Sequence, residues 1–267
     1  VSLTDDLGGD LPQWGYTESV LLDGDHVICT PGGDKGAIAA LDKRTGKVVW
    51  QTEEFTEPAH YSSVVTANIN GVHQYVQRTE KAVVGVDAKN GKILWRTDFP
   101  GRVAVIPTPI VKSNDVYVTA GYGTGCKMVR IGPDFSVTEI YSNKVMKNHH
   151  GGALLVGDHL YGYSDGVGWT CQNFADGEEV WSERRALGKG AVTFADGMLY
   201  CLDEDKGTVA LVKATPEGYE ETGRFELDPQ SEIRASRGKI WTHPVILNGR
   251  LYLRDQDLIY CYDVSGS

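Results

Sequence analysis

Short apolar stretches alternate with polar residues and tight turns along the whole chain. In six places an alternating segment is interrupted by a two-residue step of Asp-Gly, Asn-Gly, Asn-Asp or Val-Gly type, which commonly joins two antiparallel strands. An apolar period of two on both sides of such a step predicts a β-hairpin. The predicted turns lie at Gly24, Gly71, Asn114, Gly157, Gly197 and Gly249.

A second signal recurs in the same phase. The segment ALDKRTGKVVW ends at Trp50, and its near copy GVDAKNGKILW ends at Trp95, about 45 residues further along. Weaker copies end at Tyr141, Trp181 and Phe225. The two signals together define six repeats, over approximately residues 14–54, 59–99, 104–143, 148–184, 189–228 and 240–264.

Each repeat accommodates four short strands, which is the content of one blade of a β-propeller. We therefore predict an all-β chain, with residues 1–267 forming a single β-propeller domain of four-stranded antiparallel blades. An isolated blade cannot bury both of its faces, so a large aromatic residue that closes the fourth strand should pack between neighbouring blades. Trp50, Trp95 and Trp181 are assigned this structural role.

The phase of the repeats raises a question about the ends of the ring. Val1–Thr4 aligns with the end of a fourth strand, and the last repeat stops after a third strand. Either this short N-terminal stub completes the sixth blade, or the chain is the C-terminal part of a seven- or eight-bladed propeller. A stub of about four residues is at the short limit of strand length, which favours the second alternative.

Composition narrows the range of partners. The chain has 26 Lys and Arg against 36 Asp and Glu, a formal net charge of −10. Nucleic acids and anionic membranes are bound through clustered basic residues, so neither is expected as a partner. No apolar run approaches the roughly 18 residues of a membrane span. The five cysteines are widely spaced and contain no CxxC pair, which argues against a disulfide framework and a thiolate zinc site.

The pattern A/G-x-D-x-x-T/N-G-x-x-x-W at residues 40–50 and 85–95 resembles the repeat of the pyrroloquinoline-quinone-like propellers. That superfamily includes quinoprotein alcohol dehydrogenases and the lipoprotein scaffold of the outer-membrane protein assembly machinery. Residues 14–33, 144–166 and 239–264 further resemble exported propeller proteins of planctomycete-type bacteria. The resemblance implies a propeller fold and a periplasmic or extracytoplasmic location. It leaves the activity open, because one propeller fold hosts many functions.

Candidate ligand-binding residues cluster where the chain enters the first strand of a blade. In a propeller these loops open on the same face as the turns between second and third strands, around the central channel. We predict that they form a single channel mouth. Its predicted ligand-binding residues are Trp14, Tyr16, Glu18, His60, Tyr61, Lys189 and Trp241.

Histidines at equivalent positions suggest a second use of the mouth. His149, His150 and His243, together with His60 and Glu18, provide imidazole and carboxylate groups that suit Zn²⁺, Cu²⁺ or iron. The alternative is that they are hydrogen-bonded channel residues around ordered water, and the absence of HxH or HxxxH spacing favours it.

Three classes of function follow from these residues. The favoured one is a non-catalytic binding or scaffold propeller that recognises a protein or a small polar or glycan ligand at the mouth. The second is a quinoprotein-like oxidoreductase with pyrroloquinoline quinone and Ca²⁺, against which the chain is short and lacks a vicinal cysteine pair. The third is a metal-dependent enzyme using the histidines, with Glu18 or Asp255 as the base. No residue is assigned a catalytic role.

Overall fold

The computed structural model describes residues 1–266, and the strands of this part of the chain form six antiparallel sheets. Five of these sheets have four strands and the sixth has three. The prediction of an all-β propeller fold built from six repeats is therefore confirmed. The chain divides into two compact units, Val1–Lys144 and Val145–Ser267, which are described in turn. The assignment of residues 1–267 to a single domain stays a prediction.

The first unit contains sheets one to three, in which strands consecutive along the chain are neighbours. Their tight turns follow the predicted chemistry: Asn70 and Gly71 both have positive φ, at 54° and 78°, as a type I′ hairpin turn requires. Sheet one consists of β1 (Leu21–Asp23), β2 (His26–Cys29), β3 (Ala39–Asp42) and β4 (Val48–Gln51). Sheet two consists of β5 (Val65–Ile69), β6 (Val72–Arg78), β7 (Ala82–Asp87) and β8 (Ile93–Asp98). Sheet three consists of β9 (Ile110–Lys112), β10 (Asp115–Ala120), β11 (Gly125–Ile131) and β12 (Val137–Asn143).

The second unit contains sheets four to six, with the same order of neighbouring strands. Sheet four consists of β13 (Ala153–Val156), β14 (His159–Ser164), β15 (Gly168–Asn173) and β16 (Glu179–Glu183). Sheet five consists of β17 (Gly190–Ala195), β18 (Met198–Asp203), β19 (Thr208–Lys213) and β20 (Glu221–Glu226). Sheet six consists of β21 (Val245–Leu247), β22 (Arg250–Asp255) and β23 (Leu258–Asp263).

A β-bulge recurs between the third and fourth strands of all five four-stranded sheets. The fourth-strand residue paired next to the bulge is Trp50, Trp95, Tyr141 and Trp181 in the first four of these sheets. In sheet five it is Gly223, opposite Leu211. The sequence pattern placed the closing aromatic of this repeat at Phe225, two residues too late, because the degenerate copy offers an aromatic residue without showing where the bulge falls.

The tryptophans that were assigned to blade docking connect elements within each unit. Trp50 is 8% exposed, and its indole Nε1 donates to the carbonyl of Ala88 in the next sheet at 3.1 Å. Trp181 donates in the same way to the carbonyl of Thr215 at 2.9 Å. Trp95 instead donates to Gln74 of its own sheet at 2.7 Å, while its ring belongs to an apolar cluster that reaches into sheet three.

Where Gly223 replaces the aromatic residue, the space is not filled. A Cβ added at Gly223 would have no heavy atom within 4 Å. A cavity of about 300 Å³ opens beside it, lined by Tyr200, Val209, Leu211, Gly223, Arg224, Phe225 and Val264. The lining is mainly apolar, as expected for a surface between strands where no side chain fills the space.

The N-terminal segment covers one face of sheet one. Leu7 is buried and packs with Cys29 and Leu41, and Leu3 adds to this cluster. Val1–Thr4 lies in a non-strand region of turns, and the backbone of Leu3 accepts a hydrogen bond from Gly9 at 2.9 Å. Residues 1–266 contain no helix long and apolar enough to cross a membrane.

Candidate functional site

In the first unit the loop that carries His60 and Tyr61 is hydrogen-bonded to the loop that contains Val105. The backbone N–H of Val105 donates to His60 Nδ1 at 3.1 Å, and the N–H of Tyr61 donates to the Val105 carbonyl at 3.0 Å. The ring of Tyr61 lies 5.1 Å from that of His60 and 5.6 Å from that of Trp14. Trp14 is 53% exposed, whereas Tyr61 is buried and His60 is partly buried.

Burial lowers the pKa of His60, although the nearby carboxylate of Glu80 acts in the opposite direction. The His60 Nε2 and Glu80 Oε2 atoms are 3.9 Å apart. Because His60 Nδ1 accepts a backbone hydrogen bond, the ring is held as the tautomer protonated at Nε2. His60 therefore fastens the loop and directs one N–H towards Glu80.

Glu18 and Tyr16 attach the N-terminal loop to the end of β2. Glu18 Oε1 accepts the backbone N–H of Thr30 at 2.5 Å, and the Tyr16 hydroxyl donates to the Pro31 carbonyl at 2.8 Å. Glu18 Oε2 is buried and has no hydrogen-bond partner in the described part of the chain. Burial raises the pKa of Glu18, while the hydrogen bonds from Thr30 lower it. Because this carboxyl group is buried, it presents little negative charge to a ligand at the surface.

In the second unit Asn148 shapes the loop that carries two histidines. Its Nδ2 donates to the carbonyls of Gly152 at 2.9 Å and Tyr163 at 3.1 Å, and its Oδ1 accepts the Gly152 N–H at 3.1 Å. Asn is suited to this role because its side chain mimics a backbone peptide group in a turn. The loop into β13 is therefore fixed before any ligand arrives, with His149 and His150 at its centre.

Lys189 joins this loop to the next sheet. Its Nζ lies 2.8 Å from His149 Nδ1 and 2.8 Å from Asp165 Oδ1. Burial, reinforced by the positive charge of Lys189, lowers the pKa of His149 to about 4. His149 is consequently neutral at pH 7, accepts from the ammonium group at Nδ1 and carries its proton on Nε2.

His150 is paired with an acid. Its Nε2 lies 2.5 Å from Glu204 Oε2, between side chains that are 7% and 10% exposed, although neither atom has a hydrogen bond of good geometry in the described part of the chain. The backbone carbonyl of His150 accepts a hydrogen bond from His243 Nε2 at 2.6 Å. The ring of Trp241 meets that of His150 edge-on at 5.9 Å, and Trp241 itself is 55% exposed. We call His149, His150, Asp165, Lys189, Glu204, Trp241 and His243 the histidine cluster.

The predicted imidazoles are distributed over both units. His149, His150 and His243 come together in the second unit, whereas His60 and Glu18 belong to the first. Among residues 1–266 no group of three or more His, Cys, Asp and Glu side chains is arranged to hold a metal ion. The metal site stays a prediction, and His149 and His243 already use one ring nitrogen each in protein contacts.

Two acids of the histidine cluster were not predicted as site residues. Asp165 and Glu204 lie in turns between second and third strands, where Asp and Gly are usually explained by turn formation. The sequence contained one indication that they belong to the site, because these turns lie at the same end of the repeat as the histidine loops. Sequence reasoning had no means of showing that these two carboxylates face Lys189 and His150.

Solved structures share the fold of this chain. The structure of BamB from Moraxella catarrhalis matches with a TM-score of 0.69 at 15% identity, over 92% of this chain and 72% of that one. The computationally designed Ika8 protein matches at 0.64 and 11%, over 92% and 70%. Quinohemoprotein alcohol dehydrogenase from Comamonas testosteroni matches at 0.63 and 10%, over 90% and 51%. At these identities the likeness concerns the fold alone, which is that of a propeller.

The sequence itself identifies the family. A family model described as outer membrane protein assembly factor BamB matches residues 9–167, more than half of the chain. The chain belongs to this family of pyrroloquinoline-quinone-like repeats. No curated protein matches it by sequence.

The histidine cluster does not suit the quinone for which the repeat is named. Pyrroloquinoline quinone is a tricarboxylate, and the ammonium group of Lys189 is already shared between Asp165 and His149. Additional anionic groups would meet the carboxylates of Asp165 and Glu204, which disfavours their binding. We therefore assign no chemical step to a quinone at this position.

Proposed function

We propose that this chain is a non-catalytic binding or scaffold propeller that recognises a partner protein or a polar or glycan ligand through the loops leading into its first strands. The observation that carries this proposal is the exposed Trp241 ring set edge-on against the buried His150–Glu204 pair. An aromatic face beside fixed polar groups is the usual composition of a recognition surface.

The charges of the histidine cluster support recognition over proton transfer. Lys189 is held by Asp165, and His150 is buried beside Glu204. With its pKa lowered to about 4 by burial and by Lys189, His149 is a weak base at neutral pH. Groups restrained in this way contribute shape and hydrogen bonds at little cost in ordering when a ligand binds.

The family favours a protein partner in an extracytoplasmic compartment. The matching family description names an outer membrane protein assembly factor. The resemblance of the sequence to exported propellers of planctomycete-type bacteria points to the same location. Trp14 with Tyr61 in the first unit and Trp241 in the second are the aromatic residues that we expect such a partner to contact.

A thermal-shift titration tests the small-ligand side of this proposal. Maltotriose, cellotriose and chitotriose are compared with Zn²⁺, Cu²⁺, Fe²⁺ and the quinone with Ca²⁺. A ligand at about 100 times its Kd should raise Tm by roughly 5 to 10 °C for a chain of this size. We expect a saccharide response that is lost in Trp241→Ala and kept in the control Phe194→Ala, another exposed aromatic residue of the second unit.

Other outcomes separate the alternatives. A metal response that disappears in the His149→Ala/His150→Ala double variant would instead favour a metal site, and a response to the quinone would favour an oxidoreductase. If no small ligand raises Tm, a photo-crosslinking amino acid at position 241 should capture a partner protein in cells while the same group at position 194 does not. Failure of both the titration and the crosslinking contradicts the proposal.

A further inference from the structure

Arg78 is a cation at the end of β6 whose charge no neighbouring acid neutralises. Its side chain is fully buried. The guanidinium lies 4.6 Å over the ring of Phe99, and Nη1 donates to the carbonyl of Thr119. The other two nitrogens, Nε and Nη2, are also buried and have no hydrogen-bond partner among residues 1–266. This group was not among the residues selected from the sequence.

An arrangement of this kind is energetically unfavourable for the protein alone. Burying a charge without a counter-charge and leaving buried N–H groups unbonded both oppose folding. Burial lowers the pKa of Arg78 to about 9, which still leaves the group cationic at neutral pH. The fold therefore holds a positive charge in its interior with no acidic side chain of the described residues paired to it.

Nearby acids are directed elsewhere. Glu80 is partly exposed, and its carboxylate lies 3.9 Å from His60. Glu57 pairs with Arg96 at 2.7 Å and accepts the hydroxyl of Thr79. Neither carboxylate forms an ion pair with Arg78 in the described structure. The missing negative charge must then come from outside this set of residues.

The loop of residues 99–105 covers the guanidinium. Its Gly101 donates to the Glu80 carbonyl at 2.6 Å, and a Cβ at Gly101 would lie 3.6 Å from Arg78 Nη2 and 2.1 Å from a methyl group of Val105. Glycine at position 101 thus avoids a clash with Val105, and the loop backbone passes beside the cation. Val103 at the tip has φ of 55° and is 57% exposed, an unfavourable conformation for a β-branched residue.

We propose that Arg78 binds a small monovalent anion, a halide or a carboxylate group, at Nε and Nη2 beneath the loop of residues 99–105. These two nitrogens form one side of the guanidinium fork, which matches a carboxylate in a bidentate manner and a halide at a single point. A water molecule would satisfy the N–H groups but would not offset the charge. The anion completes the interior of the first unit, independently of any ligand of the histidine cluster.

Anion exchange at constant ionic strength tests this site. Sodium gluconate, whose anion is the bulkiest of the three, is replaced stepwise by sodium chloride in one series and by sodium formate in another. We expect a saturable rise in Tm of about 5 to 10 °C at 100 times Kd. The series with the stronger response shows whether the natural anion is a halide or a carboxylate.

Matched variants separate specific binding from general salt effects. Arg78→Met should lose the saturable rise, and Arg130→Met should keep it, because Arg130 is an exposed arginine paired with Asp115. An equal rise in Arg78→Met, or identical curves in chloride, formate and gluconate, would overturn the proposal. Should Arg78→Met fail to fold, bromide soaked into crystals of the unchanged protein gives a second measurement. An anomalous peak at Arg78 supports the site, and saturating bromide without such a peak, together with formate-soaked crystals that show no formate at Arg78, refutes it.

Discussion

Arg78 in the first unit and Arg234 in the second are both largely buried arginines. They differ in whether a carboxylate is paired with the guanidinium group. Arg234 is 14% exposed and grips Asp255, a fully buried acid that accepts its Nε at 3.0 Å and its Nη2. Asp255 also accepts the backbone N–H of Ser231 at 3.0 Å. Arg78 is more deeply buried and has no such acid. The comparison shows that the chain itself supplies the counter-charge of Arg234. Arg78 has two N–H-bearing nitrogens that remain available to a bound anion.

Removing the acid of the complete pair should have the largest effect. Asp255→Ala leaves Arg234 without its counter-charge, and we expect the free energy of unfolding to fall by about 3 to 5 kcal/mol in urea denaturation. Asp257→Ala is the matched control, because that exposed carboxylate accepts the Ser231 hydroxyl at 2.6 Å and should cost less than about 1 kcal/mol. A loss below about 1 kcal/mol for Asp255→Ala would show that the pair contributes little.

Replacing the unpaired arginine should act in the opposite direction. In gluconate buffer Arg78→Met removes a buried charge and two unbonded nitrogens while keeping much of the side-chain volume, at the expense of the bond to Thr119. We expect a gain of about 1 kcal/mol in the same denaturation experiment. In saturating chloride or formate the unchanged protein should regain the advantage. A loss like that of Asp255→Ala in gluconate would mean that the two arginines are equivalent after all.

The histidine cluster adds a smaller, pH-dependent effect. Burial and Lys189 lower the pKa of His149 to about 4, from an ordinary value of 6.5. The unfolded chain then binds more protons than the folded one between these values, so stability is complete above pH 6.5 and decreases as the pH falls towards 4. Because the side chain is only partly buried, we expect only about 1 kcal/mol. His149→Gln should remove that part of the slope, and an unchanged slope would place the titration elsewhere.

The repeat architecture could be predicted because its signals are local. The turn at Asn70-Gly71 and the segment ending at Trp50 depend on the preferences of a few adjacent residues, and each recurs in phase along the chain. The position of Gly223 was missed for the opposite reason. Gly223 and Phe225 lie on the same face of β20, and only the pairing with β19 shows that Gly223, opposite Leu211, is the residue next to the bulge.

The candidate site was predicted only in part. Lys189, Trp241 and the histidines at 149, 150 and 243 were selected, and the second unit brings them together. Their acidic partners were not selected, since an Asp or Glu in a turn has the same sequence signature whether or not it meets a cation. Arg78 had no signature of its own.

By itself, the sequence determined the six repeats, the all-β propeller class and the end of each repeat at which polar loops gather, because hydrophobic period and turn chemistry act over a few residues. The tertiary structure decided which charges meet. Pairing depends on distances between residues far apart in the chain, such as Lys189 with Asp165 and Arg234 with Asp255. In the sequence, Arg78 cannot be distinguished from any other arginine of a strand. An unpaired charge is unfavourable only where folding removes it from water.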